Sequence, residues 1–479
     1  MKRIKGVTPP SIPMTLNGKS QLVILFLVSS AVQNAAGDVW SKEKLAAGRD
    51  LCIGPQTPLL KWKKTGIEVE RLVTDANGVA YIAGHGSNSS CSVSALTADG
   101  ALKWRSDCAI GDCTGIAVGT RGIVYVVGKE GLAALGPTGE GLWKRRMTPR
   151  GDSDLLIGSP VVVPDALYVA VGAGSHEHGV FEARQSSQGT LYAFTPDGDV
   201  NWKYAICPPP LCDNPAPVVG NDGTVYVPCM DGGKVPTIHT LTPGGELKWR
   251  YEVADSSLLD WLVERTFDEM RRAAEGIPNA PTGLTNDSSL VQQIRRALAV
   301  GITMTTPDFG SRNGLSLLTA GNDDTVYFVI EPGVGHGQFL CAVDGDGSLR
   351  WRIWSVQHEG LSRCSVPVIG PAGDLYICSA KDSSDVIHCL DPNGTLKWSL
   401  NTEKKIVTPV LVDARGTLYC ADMTGVVLAI GATGRTKWRY HTDQSEGTRL
   451  YGGCLAFGRR GTLYYAASND ALYAMGESE

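Results

Sequence analysis

From about residue 57 onward, apolar and polar positions alternate in short runs, and each run is cut by a Gly, Asp or Asn step. A period of two with such punctuation predicts strands that bury one face, joined as antiparallel hairpins. One unit is written out cleanly after Val407: "TPVLV", a turn at "DARG", "TLYCA", a turn at "DMTG", "VVLAI", a turn at "GATG", then "RTKW". Four strands in a period of about 40 residues is the dimension of a propeller blade.

The unit recurs eight times, marked by Tyr81, Tyr125, Tyr168, Tyr226, Tyr327, Tyr376, Tyr419 and Tyr464. Seven of these are followed by a Trp: Trp104, Trp143, Trp202, Trp249, Trp351, Trp398 and Trp438. The eighth unit has none after it, but "TPLLKWKKTG", carrying Trp62, has the form of a fourth strand and precedes the first full unit. The pattern therefore predicts an all-β fold over 57–479, an eight-bladed propeller of four-stranded antiparallel blades, closed by the N-terminal strand. Closure removes the free edges that an open ring would expose. A recurrent indole on an outer strand packs on the next blade while its N–H finds a carbonyl, so these eight Trp residues are read as docking groups.

Two stretches break the period. Between Trp249 and Tyr327 the chain is longer by about 50 residues than the equivalent steps, and 255–301 is helical in pattern. Leu259, Val263, Phe267, Met270 and Ala274 share one face, and Ser289 with Gln292 has capping-box form, which predicts a helical hairpin between blades 4 and 5. The second break is a long loop in the third blade containing "SHEHGVFEARQ".

The N-terminus has another grammar. A basic lead, an apolar run from Leu22 to Val32 and small residues to Gly37 read as an export signal over 1–37, with 38–56 a linker. The run falls short of the ~20 residues that cross a bilayer, so no transmembrane span is expected in the mature chain, which is placed outside the cytoplasm. The balance of 44 basic to 49 acidic residues, without a basic block, argues against nucleic acid as a partner.

Thirteen cysteines include two pairs at one spacing, Cys108 with Cys113 and Cys207 with Cys212, each beyond a repeat Trp. Local disulfides are expected in these loops if the compartment is oxidising, with free thiols as the other reading. Cys378 and Cys389 fall on consecutive strands, as cross-strand partners or buried thiols. Sequons at Asn88, Asn286 and Asn393 are glycosylation candidates in a secreted chain of a eukaryotic host.

The stretches "ALTADGALKW", "AFTPDGDVNW", "CLDPNGTLKW" and "AIGATGRTKW" resemble the tryptophan-docking repeat of the PQQ-repeat propellers, from about Thr57 to Met475. That superfamily holds quinoprotein alcohol dehydrogenases and a non-enzymatic scaffold of outer-membrane assembly. These hairpins are one residue shorter than the family's longer form, and only Thr433-Gly434 keeps its Thr-Gly step. The resemblance implies either a scaffold or an enzyme that binds pyrroloquinoline quinone (PQQ) with Ca²⁺. A vicinal Cys-Cys pair, familiar in alcohol-oxidising members, is absent.

Most histidines, His85, His176, His178, His336, His358 and His441, fall in loops expected on one face. His85, His178 and His336 each precede a Gly and are the candidate metal ligands, against the plain reading of solvated loop residues. Catalytic triads and phosphate-binding loops are not found. The leading expectation is a protein-binding propeller that presents one face and the helical insert to a partner. PQQ-dependent dehydrogenation is an alternative, as is a carbohydrate or small-ligand binder or hydrolase using Asp152, Asp154 and Glu182.

Overall fold

The computed structural model describes residues 53–477, apart from 87–89, 120, 148–154, 174, 178–179, 183–188, 207–216, 232–234, 253–317, 331–338, 355–361, 365–366, 382, 444–452 and 468–470. All regular structure among the described residues is β. The predicted signal over 1–37, most of the 38–56 linker and the helical hairpin over 255–301 lie outside the described residues.

Eight antiparallel sheets follow one another along the chain. In blade 1 the strands run Arg71–Thr74, Ala80–His85, Cys91–Leu96 and Leu102–Cys108, in that spatial order from inside to outside. Blades 2 to 7 repeat the order, and blades 3 and 6 each split the innermost strand into two short pieces. The last sheet joins Gly453–Phe457, Leu463–Ala467 and Ala471–Gly476 to Leu59–Thr65, which pairs with Ala471–Gly476 from Leu59 opposite Gly476 to Thr65 opposite Ala471. A small extra ribbon pairs Ser175–Glu177 with Val180–Glu182 beside blade 3.

The core consists of eight layers, one between each pair of neighbouring blades, because successive residues of a strand point to opposite faces of its sheet. Along Val124–Gly128, Val124 and Val126 pack toward blade 1 while Tyr125 and Val127 pack toward blade 3. Likewise Leu72 meets Cys454 and Ala456 of blade 8, whereas neighbouring Val73 joins the layer shared with blade 2. Strands such as Val124–Gly128 (VYVVG) and Gly131–Leu135 (GLAAL) therefore read as continuous hydrophobic sequence, since both faces are buried, whereas fourth strands such as Leu102–Cys108 (LKWRSDC) alternate at the exposed rim.

One aromatic pair holds each blade. The Tyr of the second strand lies against the Trp of the fourth in all eight, with centroids between 5.7 Å (Trp62 and Tyr464) and 6.1 Å (Tyr226 and Trp249), tilted rather than stacked. The indole then reaches the next blade. Trp62 Nε1 donates to Ala98 O, Trp104 to Pro137 O, Trp143 to Pro196 O, Trp202 to Pro243 O, Trp249 to Gly345 O, Trp351 to Pro392 O and Trp398 to Ala432 O, at 2.8–2.9 Å. Two residues past each acceptor sits a turn glycine with positive φ, such as Gly198 (φ 85), whose missing side chain leaves room for the indole. A Cβ on Gly198 would lie 2.6 Å from Trp143, so conformation and contact both require glycine there.

The residue before each Trp is extra in the ladder. The register slips at this point in every blade, as where Trp104 faces Ala95 but Leu102 faces Leu96, leaving Lys103 unpaired. Such a bulge re-aims its side chain. Lys61, Lys248, Lys397 and Lys437 use it to reach the turn between the first two strands of their own blades, at Thr462, Thr224, Asp374 and Thr417.

Candidate functional site

Each blade sends two kinds of connection to the same face: the link from its second to its third strand, and the link onward to the next blade. On this face blades 1 and 2 carry the same acid–base pair. The acid immediately precedes the innermost strand, as Glu70 before Arg71–Thr74 and Asp112 before Cys113–Val118. The base lies four residues beyond the repeat Tyr, as His85 after Tyr81 and Lys129 after Tyr125. The two strands are hydrogen-bonded neighbours, so these offsets bring acid and base together. Glu70 Oε1 is 2.9 Å from His85 Nε2, and Asp112 Oδ2 is 2.7 Å from Lys129 Nζ. The second ring nitrogen of His85 lies 3.9 Å from Asp112 Oδ1, which joins the pairs into the chain Glu70, His85, Asp112, Lys129.

The environment differs along this chain. Lys129 and His85 are open to solvent, while the Glu70 side chain is 21% exposed and its Oε2 has no hydrogen-bond partner among the described residues. Burial pushes the Glu70 carboxyl above the usual carboxylate range, against the opposing pull of His85 and Arg71. Arg71 is buried; its guanidinium donates through Nη1 to Glu70 O at 2.8 Å, and its Nε has no partner among the described residues. The arrangement is a polar, mixed-charge surface with protonatable groups at one end.

The innermost strands have another chemistry. Their described sequences include Arg71–Thr74 (RLVT), Cys113–Val118 (CTGIAV), Val161–Val163 (VVV), Val368–Ile369 (VI), Leu411–Val412 (LV) and Gly453–Phe457 (GCLAF). Among the described residues, none of the innermost strands contains a carboxylate, and no group of three or more His, Cys, Asp or Glu is placed to hold a metal ion. Ca²⁺ takes six to eight oxygen ligands, typically with carboxylates among them. The donor set of the described residues does not fit PQQ with its Ca²⁺.

The predicted site residues fall into three groups. The eight Trp residues are brought into one repeated geometry. Of the histidines proposed for a metal, His85 is held between two carboxylates, and His178 and His336 lie outside the described residues, as do Cys207, Cys212, Asn88 and Asn286. Asn393 is exposed in the turn beneath Trp351. Cys108 and Cys113 are both buried and carry free thiols, and the Cys113 thiol donates to Gly115 O at 3.8 Å. Cys378 and Cys389 are out of register with each other, Cys378 lying opposite Ile387 and Cys389 opposite Tyr376. Glu70, Asp112 and Lys129 were not foreseen. Their signal is the pair of fixed offsets, which is visible only once the strands are aligned blade by blade.

The family model described as outer membrane protein assembly factor BamB, a PQQ-repeat model, matches residues 89–266 and 335–475. The chain belongs to this PQQ-repeat family. No curated protein sequence matches it. Among solved structures it is similar to BamB from Moraxella catarrhalis, at 13% identity and a TM-score of 0.52, covering 88% of this chain and 100% of that one. A europium-containing methanol dehydrogenase gives 12% identity and a TM-score of 0.54, with coverage of 96% and 100%. Quinohemoprotein alcohol dehydrogenase from Comamonas testosteroni gives 13% and 0.52, with coverage of 97% and 83%. At these identities the likeness is one of fold, shared by a scaffold and by enzymes alike.

Proposed function

We propose that this propeller is an exported, non-catalytic docking module that binds a protein partner on the face carrying Glu70, His85, Asp112 and Lys129. The observation that carries the reading is the recurrence of one solvent-facing acid–base pair in two adjacent blades. Repeated aromatic residues are occupied in holding the ring, whereas His85 and Lys129 in this chain of charges are open to solvent and offer complementary contacts to a partner's charged side chains. Charges so placed set specificity and association rate more than raw affinity. The assembly-factor description of the family is in keeping with this role, and export accords with the signal-like start of the sequence. The stretch over 255–301 is proposed as a second element of the same interface.

The strand Leu59–Thr65 is proposed to act as the clasp of the ring, its pairing with Ala471–Gly476 standing in for a continuous fourth blade strand.

Affinity capture from the native host tests the function, comparing wild type with His85→Glu/Lys129→Glu and with a chain lacking 255–301. The expected result is a discrete partner retained by wild type and lost from both variants, each of which keeps the wild-type melting temperature. Turnover of alcohols by purified protein supplied with PQQ, Ca²⁺ and an artificial electron acceptor would overturn the reading.

A further inference from the structure

The chain as a whole carries a net charge of −5, yet the rim of the ring is basic. The rim is formed by the fourth strands, and three consecutive ones stand out: Leu59–Thr65 (LLKWKKT) in blade 8, Leu102–Cys108 (LKWRSDC) in blade 1 and Gly141–Arg146 (GLWKRR) in blade 2. Together they hold eight Lys and Arg residues against one acid, Asp107, whereas the fourth strands of the other five blades share eight among them. Contacts between blades set the three side by side. Trp62 Nε1 and Lys64 Nζ donate to Ala98 O and Gly100 O in the turn that opens Leu102–Cys108, and Trp104 Nε1 donates to Pro137 O in the turn that opens Gly141–Arg146.

Three of the eight cations are ion-paired: Lys63 with Asp443, Arg145 with Asp199 and Arg146 with Glu130. The other five meet neutral oxygens or solvent. Lys61 donates to Thr462 Oγ1, Arg105 to Ser92 Oγ, and Lys64 and Lys144 to the carbonyls of Gly100 and Ala109, while Lys103 is exposed. The acids of the intervening turns, Asp99 and Glu140, are turned in on Thr97 and Thr138. The same strands expose leucine: Leu59, Leu60, Leu102 and Leu142 are 50%, 44%, 55% and 46% exposed. Across the ring the exposure falls to 36% at Leu349 of blade 5, and Leu396 of blade 6 is half-buried. Leu60, Leu102 and Leu142 lie at the start of their strands, beside the hairpin turns, and so at the end of the blade away from the face bearing Glu70 and His85.

We infer that the rim of blades 8, 1 and 2 binds the surface of an anionic lipid bilayer, its leucines entering the acyl boundary and Lys61, Lys103, Arg105 and Lys144 meeting lipid phosphates. The leucines favour a bilayer over an acidic protein or polymer. An acidic chain is held by cations alone, whereas exposed leucines gain where an apolar medium begins just beneath a layer of negative charge, which is the order of a leaflet. Lys and Arg stems lie along apolar surface while their heads stay in the polar layer, so both residue types on one strand are satisfied together. Strand pairing fixes the pattern in advance, and the surface needs no ordering on contact. The leucines lie away from the face bearing Glu70 and His85, which stays open when the rim is docked. The inference is therefore independent of the partner-binding reading of that face.

The test mixes the purified full chain with vesicles of phosphatidylcholine alone or of phosphatidylcholine and phosphatidylglycerol in equal parts, and reads co-sedimentation together with hydrogen exchange of the bound chain. Wild type is expected to bind the mixed vesicles at least about tenfold more tightly, less so in high salt, with exchange slowed over 59–65, 102–108 and 141–146. Lys103→Glu/Lys144→Glu and Leu102→Ser/Leu142→Ser are each expected to lose that protection. Lys404→Glu/Lys405→Glu, an equal change of charge at exposed positions between blades 6 and 7, is expected to keep it. Equal binding to the two vesicle types, slowed exchange confined to 1–37, or rim protection unchanged in the charge variant overturns the proposal. So does retention of wild type and the leucine variant alike on polyglutamate with no slowing of rim exchange on vesicles, which assigns the patch to an acidic protein instead. The wild-type outcomes stand even if a variant fails to fold, and none of them bears on whether the charged face binds a partner.

Discussion

The indole Nε1 of Trp438 donates a 3.0 Å hydrogen bond to the carbonyl of Pro55, 383 residues earlier in the chain. In the other seven blades the acceptor belongs to the hairpin turn of the following blade. Here Gly54 and Pro55 occupy that place: Gly54 N donates to Asp413 Oδ2, the Tyr419 hydroxyl donates to Asp413 Oδ2 at 3.1 Å and lies 3.4 Å from Pro55 O, and a Cβ on Gly54 would strike the Tyr419 ring at 2.4 Å. The segment ahead of the strand Leu59–Thr65 is a substitute turn as well as a connector.

Removing residues 1–63 is therefore expected to lower the melting temperature by deleting both the substitute turn and the strand bearing Trp62. Removal of 1–37 is expected to leave it unchanged. Equal melting of the two truncated forms in calorimetry would contradict the clasp.

Glycine beneath an indole gives a sharper contrast. Gly198→Ala places a side chain at φ 85 and against Trp143, and is expected to cost about 2–4 kcal/mol. Gly141→Ala, where a Cβ meets nothing within 4 Å, is expected to stay within about 0.5 kcal/mol of wild type. Urea titration of both variants checks the difference.

The indole contributes a ring and a donor, and these separate. Trp104→Phe keeps an aromatic ring against Tyr81 but loses the bond to Pro137 O, for an expected cost of about 1–2 kcal/mol. Trp104→Ala loses both, for about 3–5 kcal/mol.

Stability should carry a pH signature from Glu70. Its carboxyl titrates higher in the folded chain than in the unfolded one, so between the two values the folded state binds more protons and stability falls as pH rises. Below the ordinary carboxylate value this penalty is absent. Glu70→Gln is expected to flatten that fall, so that its stability relative to wild type improves as pH rises through the folded value. Parallel slopes for the two proteins would exclude it.

Much of the ring was legible because its determinants are periodic. Tyr81 and Trp104, or Tyr419 and Trp438, recur at positions set by the strands themselves, so spacing alone pairs them correctly. The cysteines were not legible for the opposite reason. Cys108 and Cys113 are near in sequence but lie on strands of different blades, whereas Cys91, distant in sequence, stands opposite Cys108 through strand register. Glu70 and Asp112 were hidden in the same way: each is an ordinary acidic residue in a connection, and only alignment of the blades reveals the shared offset. The histidine cluster expected from His-Gly steps drew on residue type alone, and the one described member, His85, is engaged by neighbours that the motif did not contain.

The Gln56 N–H donates to Glu477 Oε1 at 3.3 Å, so the two limits of the ring touch. Because seven of the eight indole contacts are of one kind and Pro55 stands in for the eighth, the interruption of the backbone can be moved from one blade to another. A short linker from Glu477 to Ile53, with a new opening cut at the turn Thr433-Gly434, would yield a circular permutant in which the interruption moves by one blade. Its new ends meet in one shared blade, with Thr436–His441 paired to Val426–Ile430, so its unfolding is expected to match that of the parent ring.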